Sequence, residues 1–413
     1  MDTLYRDVAG LDVHKDSVVA CVRHMTEGGR VRSQVRTFGT STRQLLELAD
    51  WLAAEAVTHV AMESTGVYWK PIWNVLEGRF AVMVVNAHHI KKVPGRKTDV
   101  TDSEWIAQLL QHGLLQASFV PDRPQRELRD LTRQRAQLVG EKGRAANRVQ
   151  KVLEDANIKL GSVASDALGV SGRAMIRALI EGKMTPAAMA EPARRQLREK
   201  IPELREALNG HVTEHHRFML RQLMDHLEYL ERQVEQFDQQ IEQVMSPLEK
   251  AAVAMLDEIP GWDARVAQNV VAEIGTDMKR FPSAAHLCSW AGMCPGNDRS
   301  AGKQRRRRIT EGNRWLKRTL VQAAWAAARK KGSYSQAQYR RLAGRRGKKR
   351  AAIAVGHAQL AAAYHMLRDG VPYNELGATY FDRLEGDRRR KHLVKSLENM
   401  GFKVTLEARA EAA

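Results

Sequence analysis

The sequence predicts an α+β protein of several domains: an α/β domain at the N-terminus, a helical middle with a coiled-coil seam, and a mainly α-helical C-terminal domain. Three observations carry that prediction. Residues 1–110 alternate short apolar runs with stretches of helical spacing. Residues 220–248 repeat large apolar residues in steps of three and four. Beyond Leu256, helical spacing resumes between Pro-Gly and Pro-Ser turns. A chain of 413 residues is long enough for two or three cores. The expected divisions are 1–120, 121–254, 255–372 and a tail at 373–413.

Element by element, Asp7–Val13 and Ser17–Val22 read as neighbouring strands, and Val31–Phe38 as a third. Thr42–Ala54 has helical spacing, with Thr40, Ser41 or Thr42 available as a cap. His59–Met62 is a short apolar strand, Val67–Leu76 a helix with Pro71 in its first turn, and Ala81–Val85 a strand of the buried kind. Asp102–Leu110 is an amphipathic helix. Three strands, then helix, strand, helix, strand, helix is the order of a ribonuclease H-like domain.

Residues 125–160 read as helical, with Gly140 and Gly143 weakening the case for one long helix. Residues 161–210, rich in glycine and proline, read as short helices and turns. Leu220, Leu223, Leu227, Leu230, Val234, Phe237, Ile241, Val244 and Leu248 then form a heptad seam that pairs either within the chain, against residues 125–155, or between chains. Ile259-Pro260-Gly261-Trp262 followed by Ala264–Ile274 resembles a helix-hairpin-helix, a motif that offers backbone N–H groups to phosphate. Phe281-Pro282-Ser283 opens another helix, and Asn313–Lys330 is helical with Leu316, Leu320 and Ala324 on one stripe.

Charge narrows the function. The chain holds 66 Lys+Arg against 48 Asp+Glu, a net charge of +18. Residues 1–120 are neutral, whereas residues 299–350 hold 19 basic residues and one acid, Glu311, and so account for the whole excess. A solvated basic face is the bland explanation. Clusters at 305–308, 329–331 and 345–350 without intervening acids favour contact with nucleic-acid phosphates. Membrane is disfavoured, because no wide apolar face accompanies the arginines and no run approaches a span. The N-terminus lacks the apolar core of a signal peptide, and Cys21, Cys288 and Cys294 are too scattered for a disulfide framework or zinc site. These features predict a cytoplasmic, nucleoid-associated protein.

Four acids stand at telling places. Asp12 lies inside the first strand, Glu63 directly follows the fourth, and Asp99 and Asp102 are three apart around a helix start. Carboxylates converging there would repel one another unless a hard cation, Mg²⁺ or Mn²⁺, sat between them. Such ions suit phosphoryl transfer. The plain alternative is that each acid serves a turn, a cap or a helix dipole. Ser300 lies in a polar, Gly-containing loop, where serine is usually structural. Lys303 and Arg305, Arg306, Arg307 and Arg308 follow it, with Arg314, Lys317 and Arg318 beyond, a setting that can hold a phosphate and favour the alkoxide. No histidine is near enough in sequence to serve as base.

Together these segments resemble one family. Gly10-Leu11-Asp12-Val13-His14-Lys15, Met62-Glu63-Ser64-Thr65-Gly66 and Lys97-Thr98-Asp99-Val100-Thr101-Asp102 are similar to the N-terminal motifs of bridge-RNA-guided insertion-sequence transposases. These are also called DEDD transposases and are related to the Piv invertases. Ile259-Pro260-Gly261, Glu273-Ile274-Gly275, Phe281-Pro282-Ser283 and Arg299-Ser300-Ala301-Gly302-Lys303 resemble the C-terminal motifs, although the family usually has glycine soon after the serine and here Ala301 intervenes before Gly302. The tail Leu397–Leu406 has the family's look as well.

The resemblance implies a RuvC-like domain with Asp12, Glu63, Asp99 and Asp102 as ligands of Mg²⁺ or Mn²⁺, and Ser300 as a nucleophile forming a phosphoserine link to DNA. It implies donor DNA, target DNA and a structured bridge RNA as partners, and a homo-oligomer, dimer or tetramer, in which carboxylates of one chain meet the serine of another. A serine–phosphate link conserves the phosphodiester energy, in keeping with the lack of a Gly-x-x-x-x-Gly-Lys-Ser/Thr loop. The rival readings are a metal-dependent nuclease of the junction-resolvase kind without serine chemistry, a non-catalytic nucleic-acid scaffold, and an actin-like ATPase.

Overall fold

The structure is a computed structural model that describes residues 3–26, 28–64, 66–90, 101–296, 299–300, 303–304, 309–310 and 312–406, with the backbone alone at 88, 89, 299, 300, 303, 304, 385 and 387–389. The chain divides into two compact units, residues 1–121 and 122–413.

In the first unit, β1 (Asp7–Val13), β2 (Ser17–Met25) and β3 (Val31–Gly39) form an antiparallel meander, followed by α1 (Thr42–Ala54), β4 (His59–Glu63), α2 (Trp69–Leu76), β5 (Ala81–Val85), the short α3 (Ala87–Ile90) and α4 (Asp102–Gln111). The sheet order is β3-β2-β1-β4-β5, with β1, β4 and β5 mutually parallel. β1 is central and nearly all apolar, so it buries both faces. On one face Leu11, Val18, Val60 and Met62 pack against Leu45, Leu48 and Leu52 of α1 and Ile72 and Leu76 of α2. On the other, Val8, Ala61 and Val85 pack against Trp105, Ile106, Leu109 and Leu110 of α4. The predicted order of elements holds. Ser41 occupies the N-cap position of α1, but its hydroxyl meets the Gln44 side chain at 3.2 Å instead of a helix N–H. α2 starts at Trp69, two residues later than expected.

The second unit is helical. α5 (Arg123–Asp155) runs unbroken for 33 residues through both glycines. Short helices follow: α6 (Leu160–Val163), α7 (Val170–Glu181), α8 (Pro186–Ala190) and α9 (Ile201–Ala207). α10 (Glu214–Val244) is capped by Thr213 through a reciprocal bond set with His216. It lies antiparallel on α5: Asp155 meets His216 at one end, and Arg135 meets Asp238 near the other. The seam therefore has a partner within the chain, Leu220, Leu227, Leu230 and Val234 packing with Leu138, Ala145, Val149 and Leu153. The seam ends one position earlier than its heptad spacing predicts. α10 ends at Val244, and Leu248, 67 % exposed, belongs to α11 (Pro247–Leu256), which Ser246 caps afresh.

α12 (Ala264–Ile274) and α13 (Ala284–Trp290) follow, then β6 (Arg299–Ser300) and β7 (Lys303–Gln304), α14 (Arg314–Ala327), α15 (Tyr334–Arg346), α16 (Lys348–Asp369) and α17 (Tyr380–Asn399). α5 packs on α12 as well as on α10, which joins residues 122–254 and the C-terminal helices in one unit. The turn between α11 and α12 is buried: Ile259 and Trp262 are in the core, and Gln359 donates to the Pro260 carbonyl at 2.7 Å. Asp263 takes the Val266 N–H at 2.8 Å. The turn of this hairpin packs on α14, since a Cβ on Gly261 would meet the backbone of Ala323 and Ala327, and a carboxylate caps the start of α12. Among the described residues, no helix is long and apolar enough to cross a membrane.

Candidate active site

In the first unit the parallel pairing of β1 with β4 sets Leu11 opposite Met62, so Asp12 and Glu63 are the next residues on adjacent strands, at the ends where both strands leave the sheet. Side chains alternate along a strand, so Val8, Gly10 and Asp12 share a face, as do Ala61 and Glu63. That face is covered by α4. Gly10 lets the helix come this close: a Cβ there would lie 2.3 Å from both the Ala107 nitrogen and the Ser103 carbonyl oxygen. Contact of Gly10 with Ser103 and Ala107 directs the start of α4 toward the Asp12 end of β1, and the first residue of α4 is Asp102.

Local bonds refine this corner. The Asp12 carboxylate lies 3.1 Å from His14 Nε2. Thr101 caps α4 by accepting from the Glu104 N–H, while Glu104 Oε2 takes the Thr101 N–H and hydroxyl at 3.0 and 2.9 Å. Glu104 is thus committed to the cap. Cys21, paired with Gly10 across β1 and β2, is buried, and burial pushes its thiol up to about 11, so it is inert as a nucleophile. Asp99 lies outside the described residues. Among the described residues, no three His, Cys, Asp or Glu side chains gather closely enough to hold a metal ion. Asp12 and Glu63, next to each other at the ends of adjacent strands, are hard oxygen donors of the kind that Mg²⁺ or Mn²⁺ takes.

In the second unit, Ser300 sits on a two-stranded ribbon: Arg299 pairs with Gln304, and Ser300 with Lys303. The ribbon's foot is fixed by a bridge between Pro295 and Ile309 and by the Thr310 N–H to the Cys294 carbonyl at 3.0 Å. At the base, Gly292 and Gly312 touch through their backbones, a Cβ on Gly312 falling 2.3 Å from the Gly292 nitrogen. Arg305, Arg306, Arg307 and Arg308 lie outside the described residues. Of the other basic residues singled out, Arg314 stacks over Trp315 at 5.3 Å, Lys317 Nζ donates to the Thr310 carbonyl at 3.4 Å, and an Arg318 guanidinium nitrogen approaches Gly140 on α5.

A buried acid fixes the start of α14, just beyond the foot of the ribbon. Glu273, on α12 and 2 % exposed, accepts two bonds from Arg133, at 2.7 and 2.8 Å, and one from Asn313 Nδ2 at 2.6 Å. Asn313 in turn caps α14, its Oδ1 accepting from the Trp315 and Leu316 N–H groups, and its own N–H reaches the Trp290 carbonyl. Arg129 lies against Glu273 at 3.5 Å and donates to the Ala272 carbonyl. Burial pushes the Arg129 guanidinium down to about 10, with Glu273 opposing that shift, so it stays charged at neutral pH. The asparagine cap was readable from Asn-Arg-Trp-Leu before an apolar stripe. The Arg133–Glu273 pair, 140 residues apart, was not.

Comparison with known proteins agrees with the geometry. Residues 9–158 match a transposase family model, the DEDD transposase domain of IS110. Residues 253–340 match the transposase IS116/IS110/IS902 family. No curated protein matches the chain. The first match spans Asp12, Glu63, Asp99 and Asp102, and the second spans Glu273 and Ser300. The chain carries the two transposase domains of the IS110 family and is, at that level, a DNA transposase of an insertion sequence.

Proposed function

We propose that this transposase cuts and rejoins donor and target DNA through a phosphoserine intermediate on Ser300, guided by a structured bridge RNA. The serine oxygen displaces a deoxyribose oxygen at the scissile phosphorus. The serine loses its proton and the leaving DNA oxygen gains one, so the number of phosphoester bonds is unchanged. Attack by the hydroxyl of a second DNA end reverses the step and frees the serine. Lys303, Arg305, Arg306, Arg307, Arg308, Arg314, Lys317 and Arg318 bind the phosphate backbone, which carries affinity without sequence choice. Sequence choice falls to pairing with RNA. The protein works as a homo-oligomer, dimer or tetramer, in the nucleoid.

The observation that carries this reading is the pairing of Ser300 with Lys303 on a two-stranded ribbon inside a family match, in a chain whose other family match holds the DEDD acids. Asp12, Glu63, Asp99 and Asp102 would hold Mg²⁺ or Mn²⁺, which would supply charge stabilisation at the phosphate. The test is strand exchange between donor and target DNA with the element's flanking RNA. We expect exchange that needs RNA and divalent metal and is lost in Ser300→Ala. Exchange in EDTA would remove the metal role. Exchange without RNA would remove the guide. Cutting by Ser300→Ala would leave the plain nuclease instead.

A further inference from the structure

Two guanidinium groups meet one indole at the start of α14. Arg314 lies 5.3 Å from the centroid of the Trp315 ring, and Arg133 of α5 lies 5.8 Å from the same centroid. The two arginines differ in their other contacts. Arg133 is locked, because two of its nitrogens donate to the buried Glu273. Arg314 is exposed, and no carboxylate among the described residues pairs with it. Trp315 is held from two sides by the same acid: Glu273 fixes Arg133 beside the ring, and it binds Asn313, whose Oδ1 takes the Trp315 N–H. Arg314 is moreover the first residue of α14, where the helix dipole disfavours a cation, and no acid in that turn offsets it. The fold therefore rests an unpaired guanidinium on a fixed aromatic ring at a place that costs stability. A stacked guanidinium keeps its edge of N–H donors open and loses less freedom on binding. That edge matches two oxygens of one phosphodiester.

We propose that Trp315 is a positioning residue for Arg314, holding it as a two-pronged clamp on a phosphate of the DNA that this transposase domain acts on. The clamp stands beside the foot of the serine ribbon. Thr310, whose N–H joins that foot to the Cys294 carbonyl, also accepts from Lys317 Nζ, one turn along α14 from Arg314. The clamped phosphate flanks the one at Ser300. It sets the strand's register and takes no part in the chemistry. Trp315 itself need not touch DNA: its ring acts through Arg314, and Glu273 acts through the ring. The inference rests on the proposed contact of Arg314 with DNA, but neither on RNA guidance nor on serine chemistry.

The probe is an end-labelled DNA duplex, with binding to the full chain read by fluorescence anisotropy over a range of salt and without strand exchange. Arg314→Ala should weaken binding about tenfold, the worth of a charge-assisted pair of hydrogen bonds, and should reduce the salt slope by about one phosphate contact. Trp315→Leu should weaken binding about threefold and leave the slope as it is, because the charge remains. In the Arg314→Ala background the same change should cost less than about 1.5-fold, since there is no guanidinium left to position. Trp315→Met takes its place in both backgrounds if a melting curve shows Trp315→Leu to be unfolded. Arg314→Lys, which keeps the charge without the fork, should lose about threefold at an unchanged slope. An equal loss from the Trp315 change with and without Arg314 would overturn the proposal and leave the contact of Arg314 with DNA standing. So would wild-type affinity in Arg314→Lys. Wild-type affinity in Arg314→Ala would remove that contact as well. Coupling of the two residues seen with an RNA duplex and absent with DNA would overturn the proposal too, and assign the clamp to RNA.

Discussion

Replacing Glu273 by glutamine asks how strongly the buried cluster at the start of α14 holds. The substitution keeps the volume and removes one buried charge. Arg129, 10 % exposed, then loses its counter-charge, and Arg133, 28 % exposed, loses a bidentate partner. Breaking one side of a buried pair generally costs 3–5 kcal/mol, because the remaining charge is stranded. Two features moderate the loss here: Arg129 keeps the Ala272 carbonyl at 3.0 Å, and Arg133 can turn to water. We therefore expect the low end, about 3 kcal/mol, or about 5 °C in the melting temperature of the second unit. Scanning calorimetry of the full chain reads this, with Glu242→Gln as control. Glu242 is 60 % exposed and pairs with Lys250, so its loss should cost about 0–0.5 kcal/mol. If Glu273→Gln shifts the transition no further than the control, the buried cluster does not hold the start of α14.

Gly10→Ala should destabilise the first unit by at least about 2–3 kcal/mol, since both clashing groups on α4 are backbone; an unchanged first transition would contradict the close approach. Mg²⁺ or Mn²⁺ should raise the melting temperature of the wild-type chain and leave Asp12→Asn unmoved, because only a folded site binds the ion; equal shifts in both would place the ion elsewhere. Burial holds the His357 imidazole below its ordinary value of 6.5. The unfolded chain therefore takes up the proton first as pH falls, so stability should drop below about pH 6.5 and the drop should be smaller in His357→Gln; identical pH profiles of the two melting temperatures would contradict it.

The N-terminal unit was legible because each element announces itself locally. Apolar runs with two buried faces gave the parallel strands, and three- and four-residue spacing gave α1 and α4. Even the adjacency of Asp12 and Glu63 follows from strand order and length. The second unit was legible only in pieces. α5 survives Gly140 and Gly143 because a 33-residue helix packed along α10 can absorb two unfavourable residues. The seam's last position failed because heptad spacing continues across Ser246-Pro247, where the capping signal should have outweighed it. The hairpin turn packed on α14, the Glu273 cluster and the approach of Arg133 to Trp315 all depend on which helix packs on which. Residues 133, 273 and 313 carry no local sign of their meeting.

The central claim is that Ser300 becomes covalently joined to DNA. The direct measurement is peptide mass spectrometry after trapping a strand-exchange reaction of the full chain with its RNA, DNA and Mg²⁺, followed by nuclease digestion. The account predicts a nucleotide adduct on the peptide containing Ser300, absent in Ser300→Ala and strongly reduced in Asp12→Asn. Exchange products formed with no adduct on any serine, or with the adduct on a different residue, would contradict it.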